Sequence, residues 1–590
     1  MNYSLTEGFL KNFANTVVLL SLFFFSFLST NPLSAQNTES NYPTFSPPVN
    51  YPLSLSGTFG ELRRTGFHFG VDFRSQWTGE DDLILAIEDG YVSRISVSAG
   101  GYGNAVYINH PNGYTSVYAH LDRFSEDIEA LVREQQYAQK SFEVNFYPAR
   151  NRLPIERGQF IGTMGNTGFS FGPHLHFEIR KTDGQIPLNP LLFGMDVADR
   201  HAPVLKELGI HILDDRGNVL KRTTHGLQRG SGNQYRTGVP LYEIEGWQFG
   251  LSIKGHDRMT GTSNRNGIYY LALYVDDELY HEIQFDRLAY SERPYFRTHV
   301  AHDINVLDNK RHHLMYKHPG NKLQIYCDCP TFGIIQAFEN EKRQIKIIAA
   351  DFQGNESTVE FEVQRATPPY DHPSPVYTHK FSPDRPKTVE LKGINIHFPA
   401  NGFFKEERMN IREVSAPEGL EVYSNVLEIE ERGTAFYNRP RVRFTKHSVP
   451  KSLKDKTYVG HINEDGEVSM INGNWEGDRF AARISSEGRY ALFVDTIAPT
   501  IRPTRFQRDM RGISSMSFEI KDDINARMRN GGLTYRTYIN GEWALFEFDL
   551  KSDTITHHFD RPLPPGTHQL KITVQDAVGN KTSLEREFLR

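Results

Sequence analysis

The sequence predicts a mainly β protein: an antiparallel β domain followed by immunoglobulin-like β-sandwiches. The chain contains 28 Tyr and 40 Phe among 590 residues, and aromatic residues are enriched in strands. From residue 51 onward, short apolar runs alternate with glycine, as in "LSLSGTFG" and "HFGVDF". Such closely spaced runs are typical of antiparallel strands joined by turns. At roughly 150 residues per domain, the length predicts about four domains.

The composition excludes some classes of partner. A hydrophobic content of 38% and a charged content of 23% are typical of globular domains. The net charge of −6 is spread along the chain. Nucleic acid binding needs concentrated Lys and Arg, so we expect no nucleic acid partner.

The N-terminal residues 1–35 resemble a secretory signal peptide. The apolar run Thr16–Ser29 follows Lys11 and precedes "LSAQ", which predicts cleavage after Ala35. The alternative is an uncleaved anchor, but the run is shorter than the roughly 20 residues of a membrane span. No later segment is apolar enough to cross a bilayer. We therefore expect an exported protein, periplasmic or at the cell surface or extracellular, with no transmembrane segment after cleavage.

The first domain is predicted over residues 51–195, interrupted by an insertion at Ser125–Glu156. The first half of the insertion has apolar residues at the spacing of an amphipathic helix, and "FEVNFYP" has the pattern of a strand. The apolar positions of the helix are Ile128, Leu131, Val132 and Tyr137. Both ends of the insertion adjoin strands near the candidate site described below. We therefore expect it to form one wall of a substrate groove. The alternative is a surface excursion packed against the first sandwich.

Two later segments repeat each other. "RQIKIIAADFQGNEST" (343–358) and "HQLKITVQDAVGNKTS" (568–583) share a strand pattern followed by Asp-x-x-Gly-Asn. Ala202-Pro203 and Ala498-Pro499 open the two repeats. We predict immunoglobulin-like sandwiches at 196–365 and 496–590, a linker at 367–375 and a β-rich module at 376–495. The Asp-Asn pairs of the repeats are interpreted as turn formers rather than ligands; they are Asp351 with Asn355 and Asp576 with Asn580.

Several other polar residues are assigned no function. Cys327 and Cys329 are expected to form a local bridge or to be free thiols, since no further Cys or His cluster accompanies them. His110 is expected to be a solvated turn residue. His201 lies beside the Ala-Pro pair, and no calcium role is assigned to Asp257.

The candidate site begins with two histidines in "GPHLHFEIR". His174 and His176 alternate with apolar residues, so a strand would place both on one face. Upstream, "GFHFGVDF" carries His68 and Asp72 at an even spacing, which in a strand again gives one face. Two imidazoles and a carboxylate are a usual donor set of catalytic zinc, with the fourth position left for water.

A third element supplies a proton-transfer group. His120 ends the strand-like run "YTSVYAHLDRF", and no His-Glu-x-x-His motif is present. Histidine titrates near neutrality and can act as an acid or a base. With three ligands assigned, the acid/base candidates are His120 and whichever of His174 and His176 does not bind the metal.

The sequence resembles the lysostaphin/LytM-type zinc endopeptidases of bacterial peptidoglycan. The matching elements lie in family order over about 57–190, roughly a quarter of the chain: "SGTFGELR", "HFGVD", "GYGNAVYINHPNGYTSVYAHL", "GQFIGTMGNTG", "GPHLHFEIR" and "LNP". The resemblance implies one zinc ion per chain, bound by His68, Asp72 and His176. It implies that His120 and His174 are catalytic. All five family positions are retained, whereas the insertion is longer than the family's usual connection.

The resemblance and the residues together predict a secreted zinc metalloendopeptidase that hydrolyses stem peptides or cross-bridges of peptidoglycan. The first alternative is a non-enzymatic module that binds wall peptides or activates an amidase. The second is an adhesion or scaffold protein whose sandwiches carry the main role. In each case the C-terminal sandwiches could bind the wall or a protein partner.

Overall fold

The computed structural model describes residues 42–76, 82–367, 376–526 and 532–590. The predicted signal peptide, and the predicted linker from residue 368 onward, lie outside these residues. Across the described ranges, no helix has the length and apolarity needed to span a membrane. The described chain is mainly β, with further sandwich-like sheets, which confirms the predicted fold class.

The first part of the described chain forms an antiparallel sheet around the candidate site. Its hydrogen-bonded order is β1-β4-β12-β8-β7-β6-β10, with β5, β9, β11 and β13 attached at the sides, while β2 and β3 form a separate hairpin. One helix, α1 (Glu126–Gln139), follows β8. The strands are β1 Leu55–Gly57, β2 Leu62–Arg63, β3 Gly66–Phe67, β4 Val71–Arg74, β5 Leu83–Leu85, β6 Gly90–Val97, β7 Asn104–Asn109, β8 Tyr114–Phe124, β9 Val144–Phe146, β10 Pro154–Ile155, β11 Phe160–Met164, β12 His174–Lys181 and β13 Ile186–Leu188.

Strand β12 organises this sheet because its two faces differ chemically. Leu175, Phe177 and Ile179 are fully buried in the main apolar core. Burial of each such side chain contributes roughly 1.5–3 kcal/mol to stability. The intervening polar residues therefore project from the opposite face, which is the face of the candidate site. The predicted strand at "HLHFEIR" is thus present with the expected alternation.

The insertion does not form the predicted groove wall. Its helix α1 buries Ile128 and Val132 and turns its outer side toward the C-terminal sandwich. There Arg133 pairs with Glu547 at 2.9 Å, and the ring of Tyr137 lies edge-on to a tryptophan of that sandwich. No residue of the insertion lines the groove described below. The groove wall was therefore wrong, and the sheets that the helix contacts are the last ones rather than those of the first sandwich. The apolar stripe of a helix shows that the helix is covered but not which element covers it.

The next part forms two facing sheets. One has the order β15-β14-β19-β22 with β23 on β19, and the other β16-β17-β25-β24-β20-β21 with β18 on β25. Two short helices lie between β21 and β22, α2 (Phe296–His299) and α3 (His302–Leu307). The strands are β14 Val204–Leu213, β15 Val219–Gly226, β16 Gln228–Arg229, β17 Gln234–Arg236, β18 Leu241–Ile244, β19 Gln248–His256, β20 Tyr270–Val275, β21 Glu278–Gln284, β22 His313–Leu314, β23 Ile335–Gln336, β24 Arg343–Ala350 and β25 Glu356–Arg365.

The third part contains a hairpin-like pair, β26 with β29, and two larger sheets. These sheets have the orders β27-β28-β32-β36-β35 and β30-β31-β37-β33-β34, the second extended by a strand from the C-terminal part. The strands are β26 His379–Phe381, β27 Lys387–Leu391, β28 Ile394–Phe398, β29 Glu407–Met409, β30 Ile411–Val414, β31 Val426–Ile429, β32 Arg441–Phe444, β33 Thr457–Ile462, β34 Val468–Ile471, β35 Gly473–Glu476, β36 Arg479–Arg483 and β37 Gly488–Val494.

The last part again consists of two four-stranded sheets, β38-β39-β44-β43 and β42-β41-β45-β46, while β40 pairs with β34. The strands are β38 Thr500–Arg505, β39 Ser515–Lys521, β40 Asn525–Ala526, β41 Thr534–Ile539, β42 Glu542–Trp543, β43 Glu547–Asp549, β44 Thr554–His558, β45 Thr567–Gln575 and β46 Lys581–Leu589. The domain boundaries and the immunoglobulin-like type stay predictions.

Three residues that the sequence assigns no function have defined environments. Cys327 and Cys329 form a disulfide with each other, so the local bridge is the correct alternative. His110 is not a solvated turn residue: it is 6% exposed, and its two ring nitrogens contact Asp89 O and Ser116 Oγ, each at 2.8 Å. The turn that it occupies folds back onto the sheet, which the turn pattern alone does not indicate.

Candidate metal centre

An open groove of about 1900 Å³ crosses the polar face of the first sheet. It is lined by all five predicted site residues, which are His68, Asp72, His120, His174 and His176. Tyr290 and Arg293, which come from the 3₁₀ turn after β21, also line it. The second part of the chain therefore contributes to the same groove.

Three of these residues bring their donor atoms together. Asp72 Oδ1 lies 3.1 Å from His68 Nε2 and 3.0 Å from His176 Nδ1, and the two nitrogens are 2.9 Å apart. Antiparallel pairing explains half of this geometry, because His176 on β12 stands directly opposite Asp72 on β4. His68 was expected in a strand with Asp72, but it lies in the segment between β3 and β4. Gly70 permits that path, since a Cβ there would lie 2.4 Å from the carbonyl oxygen of Phe177.

The protonation of the two rings shows that the three atoms suit a cation. Nδ1 of His68 lies 2.8 Å from the carbonyl oxygen of Thr58, which can only accept, so this nitrogen carries the proton. Nε2 of His176 likewise donates to Glu178 at 2.9 Å. In neutral rings, the two nitrogens that face Asp72 therefore present lone pairs. Tetrahedral zinc places its ligand atoms roughly 3.3 Å apart, close to the observed separations, so these residues fit zinc.

The electrostatics of the three residues also favour a cation between them. Burial lowers the pKa of His68 to about 4, which keeps its ring neutral. Burial also acts to lower the pKa of His176, but hydrogen bonds to Asp72 and Glu178 outweigh it and raise this pKa to about 9. The two carboxylates thus favour positive charge at this position, which is the charge that a bound cation would supply.

Further side chains form hydrogen bonds that orient the three ligand candidates, and none of these side chains was predicted from the sequence. Arg63 donates to Asp72 Oδ2 at 2.7 Å, leaving Oδ1 for the centre. Glu178, which is fully buried, accepts from His176, from Arg180 Nε at 2.7 Å and from the hydroxyls of Tyr102 and Tyr290. Such partners orient the rings of metal-binding histidines. Glu178 follows His176 by two residues on β12, so strand periodicity could have identified it.

His120 lies at an irregularity of β8. Its φ of 63° is in the left-handed region, which costs a non-glycine residue about 1–3 kcal/mol. The ring is 6% exposed, and Nδ1 donates to Thr167 O at 2.8 Å, which leaves Nε2 unprotonated. Burial, together with the neighbouring His176 and His174, lowers its pKa to about 3. A neutral imidazole held in this way presents Nε2 as a hydrogen-bond acceptor.

His174 lies beside the three ligand candidates but outside their closest contacts. Its Nε2 is 3.6 Å from Asp72 Oδ1, and its Nδ1 donates to Gly172 O at 2.8 Å. The ring centroids of His174 and His120 are 4.8 Å apart. Two further imidazoles therefore flank the centre on the open side of the groove.

The sequence was compared with models of known families. Residues 66–142 and 144–190 match the model of Peptidase family M23. The chain carries an M23 peptidase domain. A second match, over residues 378–495, is to a Zu5-like domain and lies within the module expected at 376–495.

The sequence of the M23 domain is also similar to parts of known proteins. It is 36% identical over 124 residues to "DD-carboxypeptidase/endopeptidase Mpg" of Neisseria meningitidis, covering 21% of this chain and 22% of that protein. It is 35% identical over 136 residues to "Murein hydrolase activator NlpD" of Escherichia coli, covering 23% of this chain and 28% of the relative. The chain thus spans about a quarter of the length of these relatives.

Solved structures resemble the same region. The catalytic domain of the prophage-encoded M23 protein EnpA from Enterococcus faecalis is 26% identical, with a TM-score of 0.18, covering 26% of this chain and 97% of that chain. The catalytic domain of lysostaphin from Staphylococcus simulans is 24% identical, with a TM-score of 0.17. The match covers 25% of this chain and 90% of that chain.

Proposed function

We propose that the M23 domain is a zinc metalloendopeptidase that hydrolyses peptide cross-links of bacterial peptidoglycan. The observation that carries this proposal is the complete set of five residues in one open groove. His68, Asp72 and His176 would hold one zinc ion, and His120 and His174 would act on the substrate. The relative named as a carboxypeptidase/endopeptidase supports the same reaction class.

In this proposal the ion supplies a Lewis acid, which polarises a carbonyl group and lowers the pKa of a bound water. The chain's own residues do the remaining work. His120 accepts a proton through Nε2, because its other nitrogen is already bonded to Thr167. His174, which lies beside His120 and already donates Nδ1 to Gly172, would donate from Nε2 of its protonated ring to a developing oxyanion or to the leaving amine.

The groove suits an extended, flexible peptide. The loop between β11 and β12 carries Phe169 and Phe171, which are 68% and 92% exposed and whose rings contact each other at its rim. Aromatic side chains in this position can cover the backbone of a bound peptide without requiring a particular sequence. Peptidoglycan stems and cross-bridges are short peptides of this kind. Export to the periplasm or cell surface, as the N-terminal segment predicts, would bring the groove to this substrate.

A second candidate function is activation of another murein hydrolase, since one relative is named as an activator. Activation needs the groove as a binding surface but needs no complete donor set. The retained ligands and the oriented His120 therefore favour the enzyme. An adhesion or scaffold role carried by the sandwiches would be compatible with either.

The test is zinc content and turnover of the purified full chain. We expect about one zinc per chain by metal analysis and cleaved products of cross-linked muropeptides by mass spectrometry. His176→Ala should lose most of the zinc and all turnover, because water cannot replace a buried imidazole that Glu178 orients. His201→Ala, whose side chain is 57% exposed and outside the groove, is the matched control. Zinc-loaded protein without turnover would favour the activator, and stoichiometric zinc in His176→Ala would refute the ligand assignment.

A further inference from the structure

Three buried aspartates meet where the M23 domain joins the first pair of facing sheets. Asp199 lies in the connecting segment, Asp257 directly after β19 and Asp351 directly after β24. One carboxylate oxygen from each lies within 4.8 Å of the others. Asp257 is 1% exposed and Asp351 is 4% exposed, and the side chain of Asp199 is fully covered.

The same arrangement recurs before the last pair of sheets. Asp495 ends the preceding module, Asp522 directly follows β39 and Asp576 directly follows β45, and their oxygens again approach within 4.8 Å. The positions are equivalent in sequence. Asp199 and Asp495 each precede an Ala-Pro pair by three residues, and Asp351 and Asp576 each begin the repeated Asp-x-x-Gly-Asn.

Hydrogen bonding leaves part of each cluster unsatisfied. In the first cluster, Oδ1 of Asp257 and Oδ2 of Asp199 are buried and have no hydrogen-bond partner. In the second, Oδ2 of Asp495 and Oδ2 of Asp576 are buried without a partner, on residues that are each 3% exposed. Turn formation accounts for Oδ1 of Asp351 and Oδ1 of Asp576. Each accepts a hydrogen bond from the backbone N–H group of the asparagine four residues later. Turn formation does not account for the four oxygens without a partner, and a buried acceptor without a donor is costly.

Without a cation, repulsion between the buried carboxylates also disfavours each cluster. Within the described residues, no Lys or Arg forms an ion pair with any of the six aspartates. In the first cluster, the Nδ1 atom of His201 lies 3.6 Å from Asp199. Burial, followed by the charges of Asp351 and Asp199, raises the pKa of Asp257 to about 8. In the second cluster the ammonium of Lys456 lies nearby, but it donates to the carbonyl oxygen of Val578 at 3.2 Å.

We propose that each cluster is a binding site for one calcium ion, so that the chain binds two calcium ions apart from its M23 metal centre. Carboxylate oxygens are ligands that calcium prefers, and calcium accepts the irregular geometry of three separate loops better than magnesium does. A soft or borderline metal would require His or Cys ligands, which neither cluster contains.

Each ion would link a connecting segment to the sheets that follow it. Asp199 already accepts a hydrogen bond from Thr260 N at 3.2 Å, and an ion shared with Asp257 and Asp351 would add a second attachment. Asp495 is the last residue of the Zu5-like match, so its ion would join that module to the last two sheets. Calcium would therefore restrict the orientation of neighbouring domains.

The test is calcium binding by the zinc-loaded full chain in chelator-treated buffer, titrated from about 10⁻⁶ to 10⁻² M because extracellular modules bind calcium at roughly 10⁻⁴–10⁻³ M. We expect two ions per chain by equilibrium dialysis and a calcium-dependent rise in unfolding temperature. Asp257→Asn and Asp522→Asn should each remove one ion, and the double variant should remove both. Asp465→Asn changes an exposed aspartate in a turn and is the matched control.

The variants also separate a calcium site from a merely strained cluster. Each substitution keeps the shape of the side chain and removes a buried negative charge, so the variants should fold. In calcium-free buffer they should unfold at the same or a higher temperature than the unchanged protein. Calcium should stabilise the unchanged protein most, each single variant less, and the double variant not at all. No calcium binding by the unchanged protein at millimolar concentration, or equal binding by the double variant, would overturn the proposal. Neither result depends on whether the M23 domain cleaves peptidoglycan.

Discussion

At the scale of single residues, His120 combines two features expected of a proton-transfer group. Its backbone is in the left-handed region, and its ring has one nitrogen fixed by Thr167 and the other left unprotonated. Backbone strain of this kind persists only where the surrounding structure imposes it. Here β7, β11 and β12 all pair with β8 around this position.

We predict that His120→Ala retains zinc but loses about 10²–10⁴-fold in turnover, the usual contribution of general acid–base catalysis. The substitution leaves the three ligand candidates and their partners in place, so metal analysis should give the unchanged zinc content. Muropeptide cleavage under saturating substrate measures the turnover. His174→Ala serves as the comparison, because it removes the other flanking imidazole. Turnover within a few-fold of the unchanged protein would assign the proton transfer to His174.

At the scale of elements, the strands were more predictable than the connections. The alternation in "HLHFEIR" predicts β12 and the shared face of His174 and His176, since apolar and polar residues must separate on a half-buried strand. The same reasoning placed His68 in a strand, and it failed because Gly66 and Gly70 allow the chain to leave the sheet there. The left-handed φ of His120 has no sequence signal, since nothing in the pattern differs from a regular strand.

The packing partner of the insertion helix also could not be predicted from its sequence pattern. Tyr137 on α1 donates its hydroxyl to Asp560, lies under the guanidinium of Arg561 and contacts the Trp543 ring, all in the last part of the chain. Tyr137→Ala should therefore lower stability by about 1–3 kcal/mol, through loss of aromatic packing and hydrogen bonding, and should leave cleavage unchanged. Calorimetry and the specificity constant for muropeptides measure the two effects.

The control for this prediction lies within the same insertion. Tyr147 is 69% exposed and contacts only the guanidinium of Arg94 among the ring contacts of the described chain, so Tyr147→Ala should change neither quantity. An altered product pattern in Tyr137→Ala would show that the insertion acts on substrate after all. In that case its contact with the C-terminal sheets would have to be transmitted to the groove.

At the scale of the whole molecule, the first pair of facing sheets participates in the metal centre. Tyr290 precedes β22 by more than twenty residues and lies 112 residues along the chain from Glu178, yet its hydroxyl contacts that carboxylate at 2.9 Å. The same hydroxyl contacts Tyr102 at 2.9 Å and receives a hydrogen bond from Arg180 at 2.7 Å. Tyr290 lies outside residues 51–195, the predicted bounds of the first domain, so no pattern within those residues points to it.

We predict that Tyr290→Phe weakens zinc binding without removing it. The ring still stacks on Phe69, whose centroid is 4.6 Å away, so the groove should keep its shape. Glu178 loses one donor, however, and its carboxylate is then held less firmly in the position that orients the ring of His176. Loss of such an outer partner typically costs about 10–100-fold in metal affinity or activity. Tyr269→Phe, which removes a hydroxyl bonded to Asp286 outside the groove, is the control. Competition with a zinc chelator measures the affinity, and equal affinities in the two variants would mean that the facing sheets cover the centre without tuning it.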